Sequence, residues 1–243
     1  MTIKKNINIE EESKKTILCF DGICKVYKGD YPALDDINLV IREGEFVSIV
    51  GQSGSGKSTL LKLIYAEESA TGGELYFNDE LLNNLSKRKL PYHRRSIGTV
   101  FQDFKLLPKK NVYENVAYAL EVSGVLQEEI VSDVPQILDI VGLSEKMRKY
   151  PHQLSGGEQQ KVAIARALVH APMVIIADEP TGNLDPKSSL EIIELLMKIN
   201  SLGTTVILAS HDKDIVDKVN RRVIRLDNGK IIVDCAKGKY KNS

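Results

Sequence analysis

Apolar residues along the chain form short unbroken runs, and these runs alternate with longer patterns of helical periodicity. The unbroken runs predict strands that are buried on both faces, because they show no polar alternation. They lie at Phe46–Val50, Ile97–Phe101, 173–177, Thr205–Ala209 and 223–226. Helical patterns follow residue 56, with Leu60, Leu61 and Ile64 on one face, and occupy 158–169 and 189–200. This alternation predicts a doubly wound α/β core with a mostly parallel sheet.

Two regions of the chain depart from this alternation. Residues 17–27 and 37–41 have a β-type composition without intervening helices, whereas 112–150 are helical in composition and contain no strand pattern. Within the latter region we expect helices at 113–120 and 127–141, with Pro135 beginning a new helix because proline is tolerated in a first turn but not in a helix interior. The pattern therefore predicts a helical subdomain inserted after the strand that ends at Phe101.

A glycine-rich stretch directly after the strand Phe46–Val50 matches the pattern G-x-x-x-x-G-K-[ST] in full, and it leads into a helix as that pattern requires. Its residues are Gly51, Gln52, Ser53, Gly54, Ser55, Gly56, Lys57 and Ser58. Glycines allow successive N–H groups to surround a phosphate. Lys57 supplies a charge to the β- and γ-phosphates, and Ser58 a hydroxyl ligand for Mg²⁺. The stretch predicts a nucleoside triphosphate site.

Polar side chains follow three of the other predicted strands. Asp178 and Glu179 end one strand, where Asp178 could hold Mg²⁺ and Glu179 could accept a proton from an attacking water. Gln102 could orient water and reach Mg²⁺, and His211 could donate to a γ-phosphate oxygen. On the residues alone, a histidine or glutamine at a strand end is more often structural. An aromatic in a β segment, such as Tyr27, is more often core than a partner for adenine.

Ser155, Gly156 and Gly157 open the helical pattern at 158–169. They offer N–H groups, a hydroxyl and a helix N-terminus, all of which suit a phosphate. The chain therefore has a second phosphate-binding pattern besides its glycine-rich loop.

Composition narrows the classes of function. The 33 basic and 33 acidic residues cancel, which disfavours nucleic acid as a partner. No apolar run approaches the ~18–20 residues of a membrane span, and the N-terminus lacks the apolar core of a signal peptide.

The three cysteines show no metal-ligand spacing, so we expect buried thiols in a reducing, cytoplasmic protein. Residues 1–14 read as a loose extension and 237–243 as a solvated basic tail.

The order of these motifs resembles that of the ATP-binding subunits of ABC transporters. It comprises a Walker A loop at 51–58, a Q-loop at Gln102, a signature at 154–160, a Walker B strand at 174–178, a D-loop at 183–185 and a switch histidine at His211. The resemblance implies the ABC ATPase fold, which has a P-loop NTPase core, an N-terminal antiparallel β subdomain and an inserted helical subdomain at about 103–155. The whole ATPase domain would span 15–236.

The resemblance also implies roles for single residues. Glu179, His211 and Gln102 would be catalytic, while Ser58, Gln102 and Asp178 would hold Mg²⁺. The residues expected to contact ATP are Tyr27, Gly51, Gln52, Ser53, Gly54, Ser55, Gly56, Lys57, Ser58, Thr59, Ser155, Gly156, Gly157 and Asp185. In this family two copies pack head to tail, so the signature would contact the ATP bound by a second copy.

Within the family, the sequences at 101–108 and 112–117 are most similar to the FtsE group of cell-division ATPases. That resemblance implies an integral membrane partner of FtsX type and control of cell-wall hydrolysis from the inner face of the cell membrane. The alternative is the ATPase of a lipoprotein-release or macrolide-efflux transporter, which would use the same catalytic residues. A soluble ABC protein acting on DNA or ribosomes would be expected to have two cassettes or long insertions.

Overall fold

The computed structural model describes residues 14–29 and 31–238 and contains two β-sheets with helices packed against them. The strands are β1 (Thr16–Tyr27), β2 (Tyr31–Arg42), β3 (Phe46–Val50), β4 (Gly72–Phe77), β5 (Glu80–Leu81), β6 (Ile97–Phe101), β7 (Val174–Asp178), β8 (Thr205–Ala209), β9 (Arg222–Asp227) and β10 (Lys230–Cys235). The helices are α1 (Lys57–Ile64), α2 (Leu90–Arg95), α3 (Val112–Glu121), α4 (Gln127–Ile140), α5 (Gly156–Leu168), α6 (Pro186–Ser201) and α7 (Lys213–Val219). The predicted N-terminal extension up to residue 13, and the basic tail from residue 239, lie outside the described residues.

The larger sheet has six strands in the order β10-β9-β3-β8-β7-β6, and all neighbours except β10 and β9 are parallel. Its strands are buried on both faces. In β7, Val174 and Ile176 contribute to one hydrophobic cluster and Ile175 and Ala177 to the other, each with 0% exposure. A strand covered on both sides has no polar face, which explains its unbroken apolar sequence.

Different layers cover the two faces of this sheet. One face packs against α1 and against the four-stranded antiparallel sheet β2-β1-β4-β5. The other packs against α3, α4, α5, α6 and α7. The predicted α/β fold with a mostly parallel sheet is confirmed. The short elements β4, β5, α2 and α7 were not predicted by the hydrophobic pattern.

The parallel strands bring their carboxyl ends to one edge of the sheet. The glycine-rich loop follows β3, Gln102 follows β6, Asp178 ends β7 and His211 comes shortly after β8. Because β3 lies beside β8 and β8 beside β7, these side chains meet at the edge where α/β proteins bind ligands.

The expectation that Pro135 begins a new helix is wrong, because α4 is a single helix with Pro135 in its interior. Proline cannot donate to the carbonyl four residues earlier, that of Val131. Val131 is 57% exposed, so water can satisfy that carbonyl. On the other side of the helix Val134 and Leu138 are fully buried, and their packing keeps the helix continuous.

The expectation of buried thiols is also wrong. Cys19 and Cys24 are partly exposed and Cys235 is exposed. In β1 the neighbours Leu18 and Phe20 are buried, and since side chains alternate between the faces of a strand, Cys19 points to the outer face. Cys235 lies on β10, an edge strand with mostly exposed residues.

Candidate active site

The glycine-rich loop lies in close contact with the hairpin β1–β2 and with the end of β9. Gly56 has a φ of 105°, and a Cβ at this position would lie 2.6 Å from the Ala33 carbonyl oxygen. A Cβ at Gly51 would lie 2.4 Å from the carbonyl oxygen of Leu226. Side chains at these positions would displace the loop, so glycine is required by space as well as by backbone conformation.

Lys57 is folded back into the loop at the start of α1. Its ammonium donates to the carbonyl oxygens of Gly51 at 2.7 Å and Gln52 at 3.0 Å. Burial lowers the pKa of Lys57, and the carboxylates of Glu179 and Asp178 oppose that effect. Carbonyl oxygens therefore hold the ammonium in the loop without neutralising its positive charge.

Asp178 and Ser58 lie next to each other at the end of β7. Burial raises the pKa of Asp178, the Glu179 carboxylate raises it further, and Lys57 and a hydrogen bond from the Ser58 hydroxyl lower it. A hydroxyl and a carboxylate held together are oxygen ligands of the kind that Mg²⁺ prefers, and Mg²⁺ in such sites takes its other ligands from phosphates and water. The donor set fits that ion. Among the described residues no group of three or more His, Cys, Asp or Glu side chains is arranged to hold a metal.

Glu179 contacts His211 directly. The distance from Glu179 Oε1 to His211 Nδ1 is 2.7 Å, and the Glu179 side chain is 18% exposed against 68% for His211. The backbone of Glu179 has a φ of 49°, and its amide donates to the Ala209 carbonyl at 3.0 Å. In this left-handed conformation the carboxylate lies against His211, in the loop that follows β8.

Gln102 pairs with the loop that follows Glu179. Its Nε2 donates to Asn183 Oδ1 at 3.2 Å, and Asn183 Nδ2 donates to the Gln102 carbonyl at 3.2 Å. Gly182 lies against the same side chain, since a Cβ there would be 2.7 Å from Gln102 Nε2. The Q-loop glutamine is thus held against the D-loop.

These residues surround one cavity of about 720 Å³. It is lined by Tyr27, Tyr31, Ala33, Gly51, Gln52, Ser53, Gly54, Gly56, Lys57, Ser58, Thr59, Gln102, Asp178, Glu179 and His211. Two of the lining residues, Tyr31 and Ala33, were missed by sequence reasoning. The signal for Tyr31 was weak, because its position opposite Tyr27 depends on the register of the β1–β2 hairpin. Paired residues of this kind project from the same face of a sheet.

Five of the predicted nucleotide contacts do not line the cavity, namely Ser55, Ser155, Gly156, Gly157 and Asp185. Ser55 is buried inside the loop, and its hydroxyl has no partner among the described residues. The other four lie at the starts of α5 and α6, which adjoin each other: a Cβ on Gly157 would be 3.0 Å from Ser188.

The start of α5 is a complete capping box. The Ser155 hydroxyl accepts from the Glu158 amide at 3.3 Å, and the Glu158 carboxylate accepts from the Ser155 amide at 2.9 Å. The Lys146 ammonium also donates to that carboxylate, and these contacts hold the pKa of Glu158 below its usual range. Two of the orphan amides at this helix N-terminus are thereby satisfied within the chain.

Asp185 caps α6 in a similar way. Its carboxylate accepts from the amides of Lys187 and Ser188, both at 3.0 Å, and from the Ser188 hydroxyl at 2.5 Å. The Ser188 contacts lower the pKa of Asp185. Asp185 is therefore ionised and exposed at the surface beside the signature helix.

Comparisons with known proteins agree with this geometry. The chain matches the family model described as ABC transporter over residues 34–182. It is 50% identical to the Bacillus subtilis cell division ATP-binding protein FtsE over 218 residues, 90% of this chain and 96% of that protein. It is also 50% identical to FtsE of Mycobacterium tuberculosis over 225 residues, 92% of this chain and 98% of that protein.

A solved structure shows the same fold. The ATP-binding cassette MJ0796, in a dimeric post-hydrolysis state bound to ADP and Pi, matches with a TM-score of 0.80 and 38% identity, covering 93% of this chain and 100% of that one. None of the helices in the described part of the chain is long and apolar enough to cross a membrane. The chain binds and hydrolyses ATP as a member of the ABC transporter family, and within that family it belongs to the cell division ATP-binding proteins named FtsE.

Proposed function

We propose that Glu179 is the general base of a Mg²⁺-dependent ATP hydrolysis carried out in the cavity. The observation that carries this assignment is the 2.7 Å contact between Glu179 Oε1 and His211 Nδ1 at the carboxyl edge of the sheet. Glu179 would take a proton from water while the water oxygen bonds to the γ-phosphorus. The bond from the γ-phosphorus to the bridging oxygen then breaks, and ADP leaves. His211 would hold the carboxylate in place through Nδ1, and the N–H of its other ring nitrogen, Nε2, would donate to a γ-phosphate oxygen.

The remaining lining residues would bind the nucleotide. Tyr27 would stack on adenine, the glycine-rich loop and Thr59 would surround the phosphates, and Lys57 would bridge the β- and γ-phosphates. Ser58, Asp178 and Gln102 would hold Mg²⁺, which when bound neutralises charge on the phosphate oxygens. The proposed ATPase domain is 15–236, with its helical subdomain at about 103–155.

The substitution Glu179→Gln tests the base. It keeps the size and hydrogen-bonding capacity of the side chain but cannot accept the proton. We expect ATP binding to be kept and the hydrolysis rate to fall by about 10²–10⁴. Glu121→Gln, at the end of α3 and away from the cavity, is the matched control. Hydrolysis at the wild-type rate in the Glu179 variant would show that another group is the base.

The signature residues would act on the nucleotide of a second copy. Ser155, Gly156 and Gly157 do not line the cavity of their own chain, yet they present a helix N-terminus suited to phosphate. Asp185, at the adjoining start of α6, does not line the cavity either. In a head-to-tail dimer each signature would close over the γ-phosphate in the partner's cavity. The dimeric state of the related cassette MJ0796 supports this arrangement.

We assign the chain to the inner face of the cell membrane, where it would dimerise on ATP and act on an integral membrane partner of FtsX type to control cell-wall hydrolysis during division. The names of its relatives support this role. Capture of membrane complexes with the tagged full chain tests it. Co-purification of a membrane protein together with cell-wall hydrolases is expected. Recovery of a lipoprotein-release or macrolide-efflux complex instead would assign the chain to transport.

A further inference from the structure

Helix α5 carries a buried glutamine that joins two loops of the site. Gln160 is 0% exposed, and its Nε2 donates to the Pro180 carbonyl at 2.7 Å and the Phe101 carbonyl at 3.3 Å. Pro180 directly follows Glu179, and Phe101 directly precedes Gln102. Both partners are carbonyl oxygens, so only the NH₂ group of the amide can face them. Its Oε1 has no hydrogen-bond partner among the described residues.

An arginine on the same helix holds the other side of Gln102. The Arg166 guanidinium donates to the carbonyl oxygens of Lys105 at 2.7 Å and Phe104 at 3.0 Å. Phe104 and Lys105 have φ values of 54° and 51°, so two successive residues with side chains occupy the left-handed region that such residues avoid. A rigid fork of N–H donors suits two neighbouring carbonyls, and it stabilises a turn that would otherwise relax.

Gln160 and Arg166 hold the chain on the two sides of Gln102, and both side chains belong to the single helix α5. Gln160 and Arg166 are separated by about 9 Å along the axis of α5, and the Q-loop runs between their two points of attachment. Gln160 bonds the carbonyl oxygens of Phe101, before Gln102, and of Pro180, after Glu179, whereas Arg166 bonds two carbonyl oxygens of the loop after Gln102. The described contacts of both side chains do not include the Gln102 side chain. They can therefore set its position but take no part in the chemistry.

We propose that Gln160 and Arg166 are positioning residues that couple the helix beginning at the signature to the Gln102 side chain of the same chain. This proposal rests on the proposed function, because it takes Gln102 as the residue that reaches Mg²⁺ and water. A displacement of the N-terminus of α5 would then move Gln102 relative to the cavity. Each copy would in this way report contact with its partner's nucleotide to its own site.

The substitutions Gln160→Met and Arg166→Met test the coupling in the full chain, because they remove the donors. Methionine matches glutamine in length and replaces most of the aliphatic stem of arginine. We expect kcat to fall about 10- to 100-fold, as for a misplaced group, while the KM for ATP changes less than about twofold because the phosphate loop is untouched. Equilibrium titrations of ATP binding at increasing Mg²⁺ measure how Mg²⁺ raises the affinity for ATP. In the variants, a higher Mg²⁺ concentration should be needed to reach half of that gain in affinity. Arg166→Lys keeps the charge and one set of donors, so it should recover part of the loss.

Hydrogen exchange separates positioning from general stability. We expect faster exchange of the amides of residues 103–106 in the variants, with the central strands protected as in the wild type. Faster exchange throughout the protein would instead show a structural role and overturn the proposal. The control is Gln136→Met, an exposed glutamine on α4, which should behave as wild type.

The double variant Gln102→Ala/Gln160→Met shows whether the effect passes through Gln102. If it does, the double variant loses no more than Gln102→Ala alone, whereas additive losses overturn the coupling. Wild-type behaviour of the Gln160 and Arg166 variants beside an impaired Gln102→Ala overturns the coupling but leaves the proposed function intact. Wild-type behaviour of Gln102→Ala itself overturns its role under the proposed function, and the coupling with it. If Gln160→Met does not fold, the same cycle is run with Arg166→Met.

Discussion

Glu179 and Gly56 show how the site depends on backbone conformations that most residues avoid. Glu179 takes a φ of 49° directly after β7, and a side chain in that region costs about 1–3 kcal/mol. The cost is offset by the buried strand β7 directly before it and by the hydrogen bond from the Glu179 amide to the Ala209 carbonyl at 3.0 Å. Gly56 takes a φ of 105° at no steric cost, because it lacks a Cβ.

The substitution Gly56→Ala should therefore weaken nucleotide binding strongly. The new Cβ would meet the Ala33 carbonyl oxygen at 2.6 Å, so the loop must shift away from the β1–β2 hairpin. We expect ATP affinity, measured by equilibrium titration, to fall more than about 100-fold, or roughly 3 kcal/mol.

Gly124→Ala is the matched control for this substitution. Gly124 also has a positive φ of 76°, but nothing lies within 4 Å of a Cβ built there. It should lower the free energy of unfolding by about 1 kcal/mol and leave ATP affinity unchanged. Wild-type affinity in Gly56→Ala would show that the loop tolerates the displacement.

Among the helices, α5 combines a capped N-terminus with two side chains that reach the Q-loop. Its first turn is stabilised by the Ser155–Glu158 box and by Lys146. Its later turns carry Gln160 and Arg166, which bond the loop around Gln102. Under the proposed coupling, a change at the signature would be transmitted along a rigid helix rather than through a flexible segment.

The stability of this helix start should depend on pH. The folded-state pKa of Glu158 is lowered from its ordinary value of 4.5, first by the hydrogen bond from Lys146 and then by the Ser155 amide. A lowered pKa means that the stabilisation is present above pH 4.5 and is lost as the pH falls through the folded-state value.

The substitution Glu158→Gln, which keeps the cap but removes the charge, should lower the free energy of unfolding by roughly 0.5–1 kcal/mol at pH 7. Denaturant unfolding at several pH values measures it. We expect the difference from wild type to shrink as the pH falls below 4.5. Glu145→Gln, in the 3-10 turn Ser144–Lys146 that also holds Lys146, is the control. A difference that stays constant with pH would contradict the ionic origin.

In the whole molecule the two predicted phosphate-binding patterns lie on different parts of the surface. The cavity holds the phosphate loop, Glu179 and His211, while the signature lies on another part of the surface. A head-to-tail dimer would bring the two together, and a membrane partner would then respond to dimer closure. ATP binding and assembly would therefore be one event.

Mixing two inactive variants tests this arrangement. Lys57→Ala disables the phosphate loop, and Ser155→Arg places a long side chain where the partner's γ-phosphate would lie. In a mixed head-to-tail dimer, one of the two sites combines an intact loop with an intact signature. We expect the mixture to hydrolyse ATP faster than the sum of the separate variants, in a steady-state assay.

The double variant Lys57→Ala/Ser155→Arg mixed with Ser155→Arg provides the control, because no intact site can form in it. If the signature served the nucleotide of its own chain, neither mixture would regain activity. Activity equal to the sum of the separate variants would thus contradict the head-to-tail arrangement.

The sequence by itself determined the strands of the large sheet, the glycine-rich loop and the order of the functional groups. Phe46–Val50, Ile97–Phe101 and Thr205–Ala209 have the bounds expected from their apolar runs, because burial on both faces leaves a local mark. The loop was equally readable, since its dihedral angles restrict which residues can stand at each position.

Only the tertiary structure decided which distant residues meet. Gln102 and Asn183 pair across 81 positions, and Tyr31 reaches the cavity through the register of a hairpin. The interior Pro135 and the exposed cysteines likewise follow from which face of an element its neighbours cover. These outcomes depend on strand order and packing between layers, which no local window of sequence contains. The separation of the signature from the glycine-rich loop is of the same kind, since both patterns suit phosphate but only the glycine-rich loop lines the cavity.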